Sequence, residues 1–115
     1  MIHAGDLVGL VQPEDMGRMN KTERGYYDLL NIRYKAGDIL WFAFEPIKFR
    51  LARKTYYTPD FIVVNKDREI EVHEVKGFMR DDANVKLKVS NEEYPFKFFL
   101  VRLKKGAYSV VEVKT

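Results

Sequence analysis

Tyr57-Thr58-Pro59-Asp60-Phe61-Ile62-Val63-Val64 and Val72-His73-Glu74-Val75-Lys76-Gly77 decide how this chain is read. Both are short runs with the Val/Ile/Phe bias of buried strands, and the turn-like Asn65-Lys66-Asp67-Arg68 lies between them. Side chains alternate across a strand, so Ile70, Val72, Glu74 and Lys76 share one face while Glu71, His73 and Val75 share the other. A solvated strand keeps its charges opposite Ile and Val. Here Glu74 and Lys76 extend the apolar side, which implies partial burial at the strand's exit. In the preceding strand Asp60, Ile62 and Val64 share a face, and pairing the two as a hairpin brings Asp60 beside Glu74 and Lys76. The separation of 14 residues between Asp60 and Glu74 suits two short strands and a turn.

Two neighbouring carboxylates repel and raise each other's pKa unless a cation lies between them. Magnesium, with manganese as a substitute, is the expected occupant, because hard divalent ions take oxygen ligands and magnesium needs only one or two carboxylates. The chain has no cysteine, and His3 and His73 lack zinc-like spacing. Lys76 has two roles open to it: a point charge on a phosphate, or an amine that orients and deprotonates water. The alternative is structural, with Asp60 opening a strand and Glu74 and Lys76 forming an ion pair.

A helix is expected upstream. Asn20 caps it with Glu23 three residues on, Gly37 falls where a C-terminal cap belongs, and Tyr26, Tyr27, Leu30 and Tyr34 follow helical spacing. Glu23 lies on that apolar face; one reading makes it a capping-box carboxylate bonded to the backbone of Asn20, the other a member of the acidic site, and one carboxylate geometry is not expected to fill both roles.

Length and composition, 115 residues at 46% hydrophobic, fit one compact domain with one active site. Residues 1 to 19 carry no sustained period and read as an N-terminal arm ahead of a domain spanning 20 to 115; Leu7, Val8, Leu10 and Val11 suit either an edge strand or packing on a partner subunit. Ile39 to Phe44 leads into a first strand near 44 to 52, with Trp41 as core, and Thr55 to Tyr57 carry the chain toward Asp60. After the exit at Gly77, Asp81 or Asp82 caps a second helix running to about Val89 with Val85, Leu87 and Val89 as its apolar members. Pro95 to Val101 reads as a buried central strand, followed by a Lys104-Lys105-Gly106 turn and a last strand from Tyr108 to Val113.

The balance of 20 basic against 17 acidic residues leaves a net charge of only +3, so distribution matters more than sum. With the acids neutralised by a metal, candidate phosphate contacts are Arg24, Lys48, Arg50, Arg53, Lys54, Arg80, Lys86 and Lys88. In Lys48 to Lys54, Ile47, Phe49 and Leu51 alternate with Lys48 and Arg50, as in a strand with one buried side and one basic side. No secretory or transmembrane run is evident, which makes a cytoplasmic protein without a membrane partner the expectation.

Pro59-Asp60 with Glu74-Val75-Lys76 resembles the PD-(D/E)XK nuclease superfamily. Tyr57 to Phe61 and Glu74 to Gly77 look most like phage endonuclease I-type Holliday-junction resolvases and small phage-encoded relatives. The resemblance spans about residues 20 to 103, with its specific match in the two motif strands and the first helix. It implies an α/β fold, the restriction-endonuclease-like αβββαβ core with a central mixed sheet flanked by helices. It also implies a Mg2+-dependent DNA endonuclease whose metal is held by Asp60, Glu74, the Val75 carbonyl and an acid of the first helix, matched here by Glu23. Asp60, Glu74, Lys76 and Glu23 would be the catalytic set, and cleavage would leave a 5′-phosphate and a 3′-hydroxyl. A junction resolvase needs two active sites in a homodimer, and a phage-encoded chain would act in the host cytoplasm. The alternatives are a nicking or degradative nuclease on duplex or single-stranded DNA, and a noncatalytic DNA-binding module.

Overall fold

A computed structural model describes residues 11–76 and 81–114. The chain is a mixed α/β structure. Helices α1 (Pro13–Arg18) and α2 (Lys21–Lys35) precede strand β1 (Ile39–Phe44) and a ribbon of β2 (Phe49–Ala52) and β3 (Thr55–Tyr57). Then come β4 (Phe61–Asn65), β5 (Ile70–Lys76), helix α3 (Asp81–Glu93), β6 (Lys97–Lys104) and β7 (Ala107–Glu112).

Among the described residues the main sheet has five strands in the order β1-β4-β5-β6-β7, and β2 and β3 form a separate two-stranded sheet. Of these neighbours β5 and β6 run parallel; the others are antiparallel. The parallel pair is joined through α3, as a parallel connection requires. Tyr26 and Leu30 of α2 pack with Phe42, Phe61, Val63, Val75 and Val101 on one side of the sheet. On the other, Leu87 of α3 packs with Phe49, Tyr57, Ile62, Val72 and Phe98. Strand β5 is thus covered on both faces, and Val72, His73, Glu74 and Val75 are all buried.

The β4–β5 hairpin forms as expected, with Phe61 opposite His73 and Val64 opposite Ile70. Its turn is organised by Asn65, whose side-chain oxygen accepts from the amides of Asp67 (2.9 Å) and Glu69 (3.0 Å). Arg68 takes the left-handed conformation there, with φ 64°. Helix α2 also ends as expected. Gly37 adopts φ 78°, its amide reaches the Tyr34 carbonyl at 3.0 Å and the Asp38 amide reaches that of Arg33 at 2.8 Å, the paired bonds of a Schellman cap.

Three expectations need correction. The first sheet strand is Ile39–Phe44 itself; residues 49–52 leave the main sheet and pair with 55–57 instead. An apolar run such as Ile39 to Phe44 shows no period that separates strand from approach. The second helix continues to Glu93, and its buried positions are Leu87 and Ser90, with Val85 exposed; Asp81 and Asp82 begin the helix instead of preceding it. The segment read as an arm is structured over its described part. Met19 is buried, Val11 and Met16 pack on the core, and the Asp15 carboxylate accepts from the Gln12 amide (2.8 Å). A six-residue helix is too short to display a period. Ile70 shares the face of Val72 and Glu74 as expected, opposite Val64, and is exposed because it opens the strand. Residues 1–10, with Leu7, Val8 and Leu10, and residues 77–80, with Gly77 and Arg80, lie outside the described residues.

Among the described residues no helix is long and apolar enough to cross a membrane.

Candidate functional site

One step beyond the Phe61–His73 pair, Asp60 stands opposite Glu74 at the end of the hairpin. Main-chain bonds lock it there. The Val75 amide donates to Asp60 Oδ2 (2.8 Å), the Asp60 amide donates to Glu74 Oε1 (3.3 Å), and the Asp60 carbonyl accepts from the Glu45 amide (2.8 Å). Asp60 is 8% exposed and Glu74 6%. Lys76 Nζ lies 2.9 Å from Glu74 Oε2, its side chain mostly covered. The three residues singled out in the sequence therefore meet, with the backbone of Val75 beside them.

Glu23 reaches the same cluster. Its Oε1 accepts from the Asn20 amide (2.9 Å) while Asn20 Oδ1 accepts from the Glu23 amide (2.8 Å), a complete capping box. Yet its carboxylate also lies close enough to Asp60 to add negative charge there. Capping and site membership were expected to exclude one another. The cap does not keep the same carboxylate away from Asp60, because a carboxylate offers two oxygens and several lone pairs.

Burial pushes the Asp60 carboxyl well above the usual range, and the Glu74 charge pushes it further; the Val75 amide opposes the shift, and Glu23 adds to it. The Tyr57 hydroxyl, driven upward by burial and then by Glu74, stays a neutral donor; it gives its proton to Glu74 Oε1 at 2.5 Å. A buried acid pair with one lysine beside it is short of positive charge. That shortage fits a divalent cation, for which Asp60, Glu74, Glu23 and the main chain at Val75 are the oxygen donors at hand. Among the described residues no group of three or more His, Cys, Asp and Glu side chains is arranged as a ready metal cage. Magnesium commonly takes only one or two carboxylates, with waters and phosphate completing its shell.

The candidate phosphate contacts divide. Arg24 is exposed on α2, and Lys48, Arg50, Arg53 and Lys54 are exposed on or beside the β2–β3 ribbon. A cleft of about 450 Å3, lined by Arg18, Glu45, Pro46, Ile47, Lys48 and Thr58, joins this region to the segment leading into Asp60. Lys86 is half-buried on α3. Lys88 lines a different cleft, of about 220 Å3, with Asn91, Glu92 and Lys114.

Sequence reasoning assigned no role to Tyr57, although it lies within the motif; its hydroxyl on Glu74 is a tertiary contact across 17 residues. It also passed over a second polar group on the other face of β5. Tyr26 Oη lies 2.5 Å from His73 Nδ1, His73 Nε2 lies 2.9 Å from Glu71 Oε1, and Asn65 Nδ2 donates to Glu71 Oε2 (2.9 Å). Burial holds the His73 pKa down, so the neutral ring accepts from Tyr26 and donates to Glu71. The alternation of Glu71 and His73 opposite Val72 was the available signal.

No curated protein and no solved structure matches the chain. A family model described as "Protein of unknown function (DUF1064)" matches residues 14–107. That match takes in every described residue of the acidic cluster, and the chain belongs to the DUF1064 family.

Proposed function

We propose that this protein is a Mg2+-dependent DNA endonuclease of the restriction-endonuclease-like fold, selective for Holliday junctions or other branched DNA. The observation that carries the reading is the buried meeting of Asp60 and Glu74 at the hairpin end, with Lys76 on Glu74. The succession α2-β1-β4-β5-α3-β6 supports it, since it is the αβββαβ order that the sequence resemblance implies.

Asp60, Glu74, the Val75 carbonyl and Glu23 are the groups that would hold Mg2+, or Mn2+ in its place. When bound, the ion supplies Lewis-acid stabilisation of phosphoryl charge and a lowered pKa for water. The protein's own groups set the geometry. The Val75 amide fixes Asp60, while the Tyr57 hydroxyl and the Lys76 ammonium fix the two oxygens of Glu74. Lys76 brings positive charge to the phosphate or holds the attacking water, and burial of the cluster strengthens both interactions. Hydrolysis leaves a 5′-phosphate and a 3′-hydroxyl. Cutting a four-way junction on two strands calls for two copies of the site, hence a homodimer.

The test is a gel comparison of four-way junction, splayed arm, linear duplex and single strand in Mg2+, repeated with Asp60→Ala and Lys76→Ala. The proposal expects cleavage led by the junction and lost in both variants. Retained cleavage in both removes these residues from the mechanism; a preference for duplex or single strand makes the protein a nicking or degradative nuclease. DNA binding without cleavage leaves a noncatalytic module.

A further inference from the structure

The β2–β3 ribbon carries positive charge alone. Residues 46 to 59 contain Lys48, Arg50, Arg53 and Lys54 and no Asp or Glu. Among the described residues none of the four has an acidic partner, a condition they share with Arg102, Lys104 and Lys105 at the β6–β7 turn, while Arg18, Arg33, Lys76, Lys97 and Lys114 are paired; what distinguishes the ribbon is that its chain leads directly to Asp60. Register sorts the ribbon's two faces. Phe49 pairs with Tyr57 and both point into the core, while Arg50 pairs with Tyr56 and both point outward. The Lys48 ammonium stands 6.0 Å from the centre of the Tyr56 ring on that outer side.

A two-stranded ribbon is marginal alone, and this one is rooted firmly at its base. The Phe49 ring packs at 4.5 Å from that of Tyr94 and 5.7 Å from that of Phe98, and the Tyr94 hydroxyl donates to the Arg50 carbonyl (2.5 Å). The free end is the Arg53–Lys54 turn, with Lys54 at φ 60°. Strand β3 then runs through Tyr57, on Glu74, to Asp60 within three residues.

We infer that this ribbon is the docking element for double-stranded nucleic acid, its cationic outer face and Arg53–Lys54 turn lying in a groove so that the phosphate backbone passes beside Asp60 and Glu74. The inference deepens the nuclease reading and rests on it for DNA as the partner. A two-stranded ribbon fits the width of the major groove, and unpaired Lys and Arg supply contacts to phosphate. Single-strand binders instead offer successive aromatic platforms; here Tyr56 is the ribbon's one exposed ring, and Lys48 stands against it.

The experiment measures anisotropy of a fluorescent duplex of roughly 20 base pairs, and of one of its strands, in EDTA over a salt series; one phosphate contact contributes about 0.9 to the slope of log K on log salt. The full chain is compared with Arg50→Gln/Arg53→Gln/Lys54→Gln, with the turn variant Arg53→Glu/Lys54→Glu, and with Lys97→Gln/Lys114→Gln as a control of paired cations. The inference expects the duplex to bind more tightly than the strand. It expects the triple variant to lose about tenfold or more, with a slope shallower by about 2 to 3, and the control to change neither. The turn variant lies away from the packed base and keeps the test valid if the triple variant melts early. Unchanged affinity and slope in both ribbon variants overturns the inference, as does an equal loss in the control or tighter binding of the single strand. Ribbon-dependent duplex binding with no cleavage in Mg2+ supports the inference and sinks the nuclease reading. Cleavage with ribbon-independent binding does the reverse.

Discussion

The Tyr57 hydroxyl donates to Glu74 Oε1 across 2.5 Å inside the protein, on the same oxygen that takes the Asp60 amide at 3.3 Å. That oxygen is thus held by the ribbon and by the motif loop, while Lys76 holds its twin at 2.9 Å. Both oxygens of Glu74 thus have donors, which is how a carboxylate 6% exposed is kept in one orientation.

Tyr57→Phe removes one of those donors and fills nearly the same volume. It should cost about 1–3 kcal/mol of stability, the range for leaving a buried acceptor short of a partner. It should also slow Mg2+-dependent cleavage by about tenfold through loss of Glu74 positioning, equivalent to about 1.4 kcal/mol. Urea denaturation and single-turnover rates check the two effects separately; unchanged stability would show that the bond contributes nothing.

The raised pKa of Asp60 sets a pH signature in the metal-free protein. A carboxyl protonated more readily folded than unfolded binds more protons in the folded state between the two pKa values. Stability therefore falls as pH rises from the ordinary carboxylate range toward the elevated folded value. Asp60→Asn should flatten this slope and raise the melting temperature near pH 7 in EDTA. A destabilised Asn variant at that pH would contradict it.

Added Mg2+ or Mn2+ should offset the acid–acid repulsion. A gain of about 1.4 kcal/mol is expected when the ion is at roughly ten times its dissociation constant. The rise in melting temperature should vanish in EDTA and in Asp60→Asn/Glu74→Gln. Calorimetric titration showing no binding of either ion would end the metal-dependent reading.

The Tyr26–His73–Glu71 group predicts a second, oppositely signed dependence. Burial lowers the His73 pKa, so protonation favours the unfolded chain, and stability should fall as pH drops below about 6.5. Glu71, held below its usual range first by its hydrogen bond to His73, loses its contribution at still lower pH. Tyr26→Phe should cost about 1–3 kcal/mol by leaving His73 Nδ1 without its donor, and His73→Gln should remove the slope near pH 6. Denaturation between pH 5 and 8 reads both.

Local chemistry made a good part of this molecule legible from the chain alone. Asn20, Glu23 and Gly37 bound α2 by capping chemistry, Asn65 to Arg68 turn the hairpin, and the alternation through Glu74 and Lys76 announced charge on a buried strand. Each is settled within a few residues, where spacing and backbone preference suffice. The departure of residues 49–57 from the main sheet, the length of α3, the structured segment after residue 11, the bond from Tyr57 to Glu74 and the bond from Tyr26 to His73 came only with the tertiary structure. Strand pairing and buried hydrogen bonds join residues far apart in sequence, here 17 and 47 positions, and no local period encodes which distant partner wins. The dual duty of Glu23 has the same origin. Its cap is written in four consecutive residues, but its approach to Asp60 exists only because packing of α2 on the sheet brings the start of that helix to the hairpin's end.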